Sequence, residues 1–584
     1  MLAQDTVNGV YNERVVVVGS YKPTLEETQK VNVAPEISDT ISAQQLQHKF
    51  NYQINPKRIT SIFSPSRIKA ARVIGEPTTK LYNNYLKMGL GNYWSPMLEA
   101  YYSSTRNKTM SYGAYLTHRS SWGKIGRMVD SIPYSPDYYG SNHWSMTDLG
   151  GFAKVIVKDK LQVSADLRYN NDYNLYYGVS DSTLHAHGLS RDSLSLKDNK
   201  IAYNLITFKG GVKNLQTDVN KLGYSAYLNV DELAATYGQN EFMMGLTGDV
   251  HYGFPLLSKY KGIAFLEAEW QGGKSSMKET SLVAGAPWGY AAMGSTDTVR
   301  HSRNVVKMNP YVDFLFKDFN VHAGLKLGFD GYSDTAVHTY LFPDIMVSKS
   351  LMRESLNLSV GVTGDLDANT LNKVRLINPY LMPGADLKAT HGMDFYAKMR
   401  MNFNKKLQLK AHADYALLKD DLNFHLACFA DYPLENVYIP CYEDIRKATV
   451  GADFSFINDE MLAVELGANY YHYSDSLTLY RPSFDAHLNV NVNYNDKITG
   501  RLQALLLGAM NSTILTDNLG NQMIGEKLPM RTGLNLEVEY RHNKALSFFA
   551  KMDNILCQRY FYWTNYPSQR IMVMLGLTYT IPTK

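Results

Sequence analysis

The side chains able to do chemistry are scattered through this 584-residue chain, and few stand at the spacings that chemistry requires. His185-Ala186-His187 sets two imidazoles two residues apart in a loop-like stretch, as a metal site would. No cluster of Cys, His or carboxylate at zinc spacing accompanies them, so ordinary loop histidines account for the pair and no metal site is expected. His412 and Asp414 share one face of an alternating segment, the raw material of a general base and its orienting carboxylate. The same pair is an ordinary feature of a polar wall, and that reading outweighs catalysis. Cys428 and Cys441 lie in one loop-like stretch, where a disulfide in an oxidising compartment and two free thiols are both open.

No nucleophile elbow, phosphate-binding loop or dinucleotide fingerprint occurs in a strand–turn–helix setting. No catalytic residue, cofactor or metal ligand is therefore expected, and the chain is not expected to be an enzyme. What remains is aromatic. Trp122, Tyr134, Tyr138 and Tyr139 fall in one long connection, Trp288 and Tyr290 in a second, and Tyr560, Tyr562 and Trp563 in a third. Tyr and Trp supply large contact area at low entropic cost. Trp122, Tyr138, Tyr139, Trp288, Tyr290, Tyr562 and Trp563 are thus candidate contact residues for a sugar, a peptide or a surface lipoprotein. Packing against one another to close an opening would use them equally well.

The elements that must position these residues are strands. From about residue 80 onward, segments of about ten residues alternate apolar and polar. Phe484, Ala486, Leu488, Val490, Val492 and Tyr494 oppose Asp485, His487, Asn489, Asn491 and Asn493. Leu534, Leu536 and Val538 oppose Asn535, Glu537 and Glu539, and Met393 to Phe403 alternate likewise with Asp394, Lys398, Arg400 and Asn402. Soluble sheets use shorter strands, commonly about five or six residues. A ten-residue alternation suits a tilted strand with one face on lipid and the other on a watery lumen. Inward charges such as Asp166 and Arg168, Lys410 and Asp414, or Lys551 and Asp553 then read as cross-strand pairs in a solvated interior.

The connections agree. Tight turns at 158–160, 317–318, 352–354, 404–406, 458–460, 495–497 and 542–544 alternate with long connections near 121–145, 173–199, 273–302, 364–390, 419–446, 510–529 and 558–569. Short on one side and long on the other is the pattern of an outer-membrane barrel. The walk gives 22 segments. The expected fold is all-β: a transmembrane antiparallel β-barrel of about 22 strands over residues 79–584, preceded by a short N-terminal extended segment, 1–78, lying in the periplasm or the lumen. Composition fits, with 43 Tyr and 41 Gly against 20 Pro, and a net charge of +4 too balanced to call for nucleic acid. The opening Met1-Leu2-Ala3-Gln4 has no charged or long apolar region, so an export signal is expected to have been removed.

Three stretches carry a family resemblance. Asp553-Asn554-Ile555-Leu556-Cys557-Gln558-Arg559-Tyr560 looks like the "N-L-L-N-Q-x-Y" stretch before the last strand of TonB-dependent receptors. Phe561 to Arg570 resembles the loop that follows it, and Val15-Val16-Val17-Val18-Gly19 resembles the run that opens many of their plug domains. The barrel resembles that of the Bacteroidota type. The departure is the plug: only about 60 residues separate Val18 from the first strand, without the Gly-rich pattern of a packed plug, so the plug is expected to be missing or vestigial. The resemblance implies an outer-membrane protein of a Gram-negative bacterium, in contact with outer-membrane lipids, that binds or takes up a substrate, with surface lipoproteins or other outer-membrane proteins as partners and TonB itself uncertain. A plug-less accessory or scaffold subunit of an assembly or secretion complex is the alternative.

Overall fold

The structure is a computed structural model. It describes residues 83–581 outside a set of connecting segments, of which 126–137, 181–199, 279–297 and 427–436 are the longest. The expectations for residues 1–78, and those for His185, His187, Trp288, Tyr290 and Cys428, fall outside the described residues.

Twenty-two strands form a closed antiparallel barrel. In chain order they are Asn84–Gly91, Ser95–Ser103, Met110–Ile125, Tyr138–Val157, Leu161–Leu175, Lys200–Asn214, Gly223–Ala235, Asn240–Leu256, Tyr260–Lys278, Thr298–Phe316 and Phe319–Tyr332. The second half comprises His338–Leu351, Leu356–Ala368, Ala389–Asn402, Leu407–Leu426, Tyr438–Asn458, Leu462–Tyr473, Phe484–Tyr494, Ile498–Leu507, Arg531–Arg541, Leu546–Asp553 and Met572–Tyr579. Each pairs with the next, and the first closes on the last with Met88 opposite Leu577. Every one of the 22 alternating segments is a stave.

The tight turns lie at one end. At Val157–Lys160 the Lys160 N–H donates to the Val157 carbonyl at 3.1 Å, and Lys158 and Asp159 have φ of 52° and 55°. Asn495 and Asp496 repeat this between Tyr494 and Lys497. Two central residues at positive φ match the right-handed twist of the flanking strands, which is why two residues suffice there.

At the other, long-loop end several strands outrun the alternation. The strand Tyr438–Asn458 starts eight residues before the segment expected from 446, and Leu407–Leu426 runs past 418 after an irregularity between Leu418 and Asp421. Alternation reports lipid on one side and lumen on the other. Backbone pairing can continue where neither is present, so the ladder extends although the sequence signal has faded.

The facing follows the pattern. Leu575, Val360 and Leu167 are among many large apolar side chains left exposed, as a lipid-contacting belt requires. Val538 is exposed, while its neighbour Glu537 receives the Lys87 ammonium at 2.6 Å from across the seam of the barrel. Arg168 pairs with Asp148 and Lys551 with Asp553, on the polar face.

Candidate functional site

The largest buried apolar cluster lies not in the wall but at the long-loop end. It joins Leu175 at the end of the fifth strand, Tyr176 and Tyr177 just after it, Tyr203 on the sixth, Leu371, Val374, Tyr380 and Leu381 between the thirteenth and fourteenth, Tyr438 opening the sixteenth, and Tyr566 before the last. The fifth and sixteenth strands stand half-way around a 22-stranded ring from each other. Side chains from both can share one cluster only if the loops cross the opening.

The segment 369–388 makes most of the crossing. Asn369 donates to the Lys388 carbonyl at 2.8 Å and closes its base. Thr370 caps the helix Leu371–Ile377, its hydroxyl accepting from the Lys373 N–H. The Glu241 carboxylate, on the eighth strand, accepts from the N–H groups of Leu371 at 2.7 Å and Asn372 at 3.1 Å. These are orphan donors of a first helical turn, so a fixed anion there is favourable. One turn on, buried Arg375 forms an ion pair with Asp172, donates to the Asn170 side chain at 3.1 Å, and lies 5.2 Å from the centre of the Tyr203 ring. A seven-residue helix has little stability alone; two charged anchors on separate strands hold this one.

Beyond the helix the tyrosines tie the loops together. Tyr176 donates to the Leu381 carbonyl at 2.9 Å, Tyr177 to Pro567 at 2.8 Å and Tyr438 to Thr564 at 2.8 Å. The backbones of Tyr380, Met382 and Tyr438 are joined by two further bonds of 2.9 and 2.8 Å. Tyr380 stacks on Tyr566 with centroids 3.6 Å apart, and Tyr177 meets Tyr566 edge-on at 5.0 Å. Gly178 is required where it stands: a β-carbon would come within 2.0 Å of the Asn565 carbonyl oxygen. Burial pushes the phenols of Tyr177, Tyr380 and Tyr562 above the ordinary tyrosine range.

The aromatic residues singled out from sequence divide. Trp563 belongs to this cluster, 5.2 Å from Tyr438 and 4.7 Å from Tyr480. Tyr562 bonds Tyr560 through the hydroxyls at 3.2 Å, and both rings face the Arg531 guanidinium. Trp122 lies apart on the third strand, exposed and 5.6 Å from the His143 ring. Tyr138 and Tyr139 open the fourth strand, their backbones pairing with Ser180 and Val179. His412 and Asp414 sit 3.7 Å apart in the wall, on one strand.

Sequence reasoning did not find Tyr176, Tyr177, Tyr380, Tyr438, Tyr566, Arg375 or Glu241. The available signal was the Tyr176-Tyr177-Gly178 run, which breaks the alternation of the fifth strand, and the helical spacing of Leu371 and Val374. Metal-ligating types converge at His425, Cys441 and Glu443, near the ends of the fifteenth and sixteenth strands. Cys441 and Cys557 carry free thiols.

No family model matches this sequence, and no curated protein matches it. Solved structures do match in fold. The siderophore receptor PirA of Acinetobacter baumannii aligns over 87% of this chain and 81% of its own, at 11% identity and a TM-score of 0.63. The FrpB iron transporter of Neisseria meningitidis aligns over 86% and 82%, at 11% identity and a TM-score of 0.62. A mutant of the ferric enterobactin receptor PfeA of Pseudomonas aeruginosa aligns over 85% and 80%, at 12% identity and a TM-score of 0.58. At such identities the likeness is one of fold, and the fold is the 22-stranded barrel of outer-membrane receptors.

Proposed function

We propose that this chain is an uptake receptor in the outer membrane of a Gram-negative bacterium, with a mouth that its own loops keep closed until a ligand or partner engages them. The observation that carries this is the crossing of the opening by residues 369–388 and 554–571, pinned by Arg375–Asp172, by Glu241 and by the tyrosine hydroxyls. Structural neighbours described as a siderophore receptor and an iron transporter support it. Residues 1–78 serve in this reading as a reduced plug before the barrel of 79–584. Tyr562 and Trp563 contact the incoming ligand or lipoprotein first, and Trp122, Tyr138, Tyr139, Trp288 and Tyr290 are further candidate contacts in this reading; whether TonB drives the step is part of the test. The chain performs no catalysis and needs no cofactor.

The second reading, an accessory or scaffold subunit, draws support from the density of the cluster, in which Tyr176, Tyr438 and Tyr566 have no accessible surface. A barrel closed so firmly suits a structural partner. The deciding experiment purifies the protein from native membranes in mild detergent and measures ligand accumulation by cells with and without it. Energy-dependent accumulation, or co-elution with a surface lipoprotein alone, supports uptake. Co-elution with assembly or secretion components and no accumulation overturns it.

A further inference from the structure

The tips of the fifteenth and sixteenth strands carry an arrangement that the closed mouth does not use. Asn423 pairs with Cys441, Asp421 with Glu443 and His425 with Ile439 in an antiparallel ladder. Directly opposed residues share a face, as do residues two apart. His425, Cys441 and Glu443 therefore project from one face, the one carrying Thr449 and Asp453 further along the sixteenth strand. Phe424 and Tyr438 take the other face and enter the aromatic cluster, which Ile439 also touches from the ligand-bearing face. The three ligand atoms lie within 4.8 Å of one another, and His425 Nε2 is 3.6 Å from Glu443 Oε1.

Those separations suit a tetrahedral ion. With bonds of about 2.0–2.1 Å to nitrogen and oxygen and about 2.3 Å to sulfur, ligand atoms stand about 3.4–3.6 Å apart. The imidazole–carboxylate pair already meets this, and the thiol needs a small rotation. Asn423 donates to the second Glu443 oxygen at 3.3 Å, the outer contact that fixes a carboxylate ligand's orientation. The Arg481 guanidinium, whose field reaches Cys441 and Glu443, is itself ion-paired with Asp421 and donates to the Leu422 carbonyl at 3.0 Å. All three side chains keep some exposure, leaving room for a fourth ligand.

We propose that His425, Cys441 and Glu443 form a three-ligand site for a borderline divalent transition metal of the Zn²⁺ type, with its fourth position open to an exchangeable ligand. The donor set selects the class: one thiolate, one imidazole and one carboxylate favour Zn²⁺, Co²⁺ or Cu²⁺ over Mg²⁺ or Ca²⁺. Binding takes the Cys441 thiol proton into solvent; thiolate and carboxylate then balance the ion's two charges. The site stands whether or not the protein is an uptake receptor.

The test titrates Co²⁺ into the full-length protein, purified in detergent, stripped with chelator and kept under a thiol-free reductant so that Cys441 stays reduced. One Co²⁺ should bind per chain, with a thiolate-to-cobalt charge-transfer absorption in the near ultraviolet that Zn²⁺ abolishes. Cys441→Ser should remove that absorption, His425→Ala and Glu443→Gln should each weaken binding by at least about tenfold, and Asn423→Ala should weaken it measurably but less. Cys557→Ser should change nothing. Heat-dependent gel mobility reports whether each variant keeps its barrel. Absorption surviving in Cys441→Ser, or no Co²⁺ binding to reduced wild-type protein with an intact barrel, overturns the assignment.

Discussion

Removing the Arg375 charge should open the long-loop end while leaving the barrel folded. Arg375→Met keeps an apolar stem of similar length but strips the counter-charge from Asp172 and a donor from Asn170. The two paired side chains are only 3% and 10% exposed. Breaking a pair so far from water leaves an uncompensated carboxylate and costs roughly 3–5 kcal/mol. Losing the cation beside Tyr203 adds about 0.5–2 kcal/mol. Even about 3 kcal/mol moves a closed-to-open ratio by roughly 10²-fold. The cost falls on the segment 369–388, because the strand ladders need none of these groups, and Glu241 still holds the helix start. Limited trypsinolysis at Lys373 and Lys388 reads the opening directly, and conductance in planar bilayers reads its consequence. Both should rise, with heat-dependent gel mobility unchanged. Adding Asp172→Leu should recover part of the closure, since no charge then remains buried alone. Unchanged proteolysis and conductance in Arg375→Met would refute the view that this pair latches the mouth.

Gly178→Ala should push Asn565 and its hairpin away, raising protease sensitivity near 564–567 without altering barrel mobility; equal sensitivity would contradict the close approach. Leu536→Arg should cost roughly 2–4 kcal/mol in a barrel-refolding titration, against much less for Asn535→Arg, if Leu536 meets lipid; equal costs would reverse the facing. Buried neutral Tyr177, Tyr380 and Tyr562 resist ionisation, whereas phenols in the opened state lose protons near pH 10. The closed mouth should therefore keep its full stability below about pH 10 and lose it progressively above, read as conductance rising together with tyrosinate absorbance. Conductance flat to pH 12 would sink that linkage.

The barrel was legible because lipid and lumen impose opposite demands on successive residues, and each of the 22 staves between Asn84 and Tyr579 carries that mark. Turn chemistry at Lys158-Asp159 and Asn495-Asp496 set the count and the phase. The closed mouth was not legible. Tyr438 reads as one aromatic in a long connection, and nothing local says that it meets Tyr566 or Tyr380. Such meetings depend on which strand tips stand opposite across the ring, a property of closure and not of any window of sequence. Trp122 shows the converse: a tryptophan near a loop drew attention by type, yet its place on the third strand keeps it out of the cluster. Trp563 stands out in the sequence because it shares a short segment with Tyr560 and Tyr562, and it packs against the cluster.

The segment between Asn369 and Lys388 reaches from its base on the thirteenth and fourteenth strands to Glu241 on the eighth strand and Asp172 on the fifth. A thin hoop is stiff along its strands but soft toward flattening into an ellipse. A strut tied to well-separated points of the hoop resists that softest deformation. The latch that bars the opening is then also the brace that keeps the rim round. Releasing it should do more than uncover a hole: the rim becomes free to breathe, and lateral pressure from crowded lipids reaches the long connections.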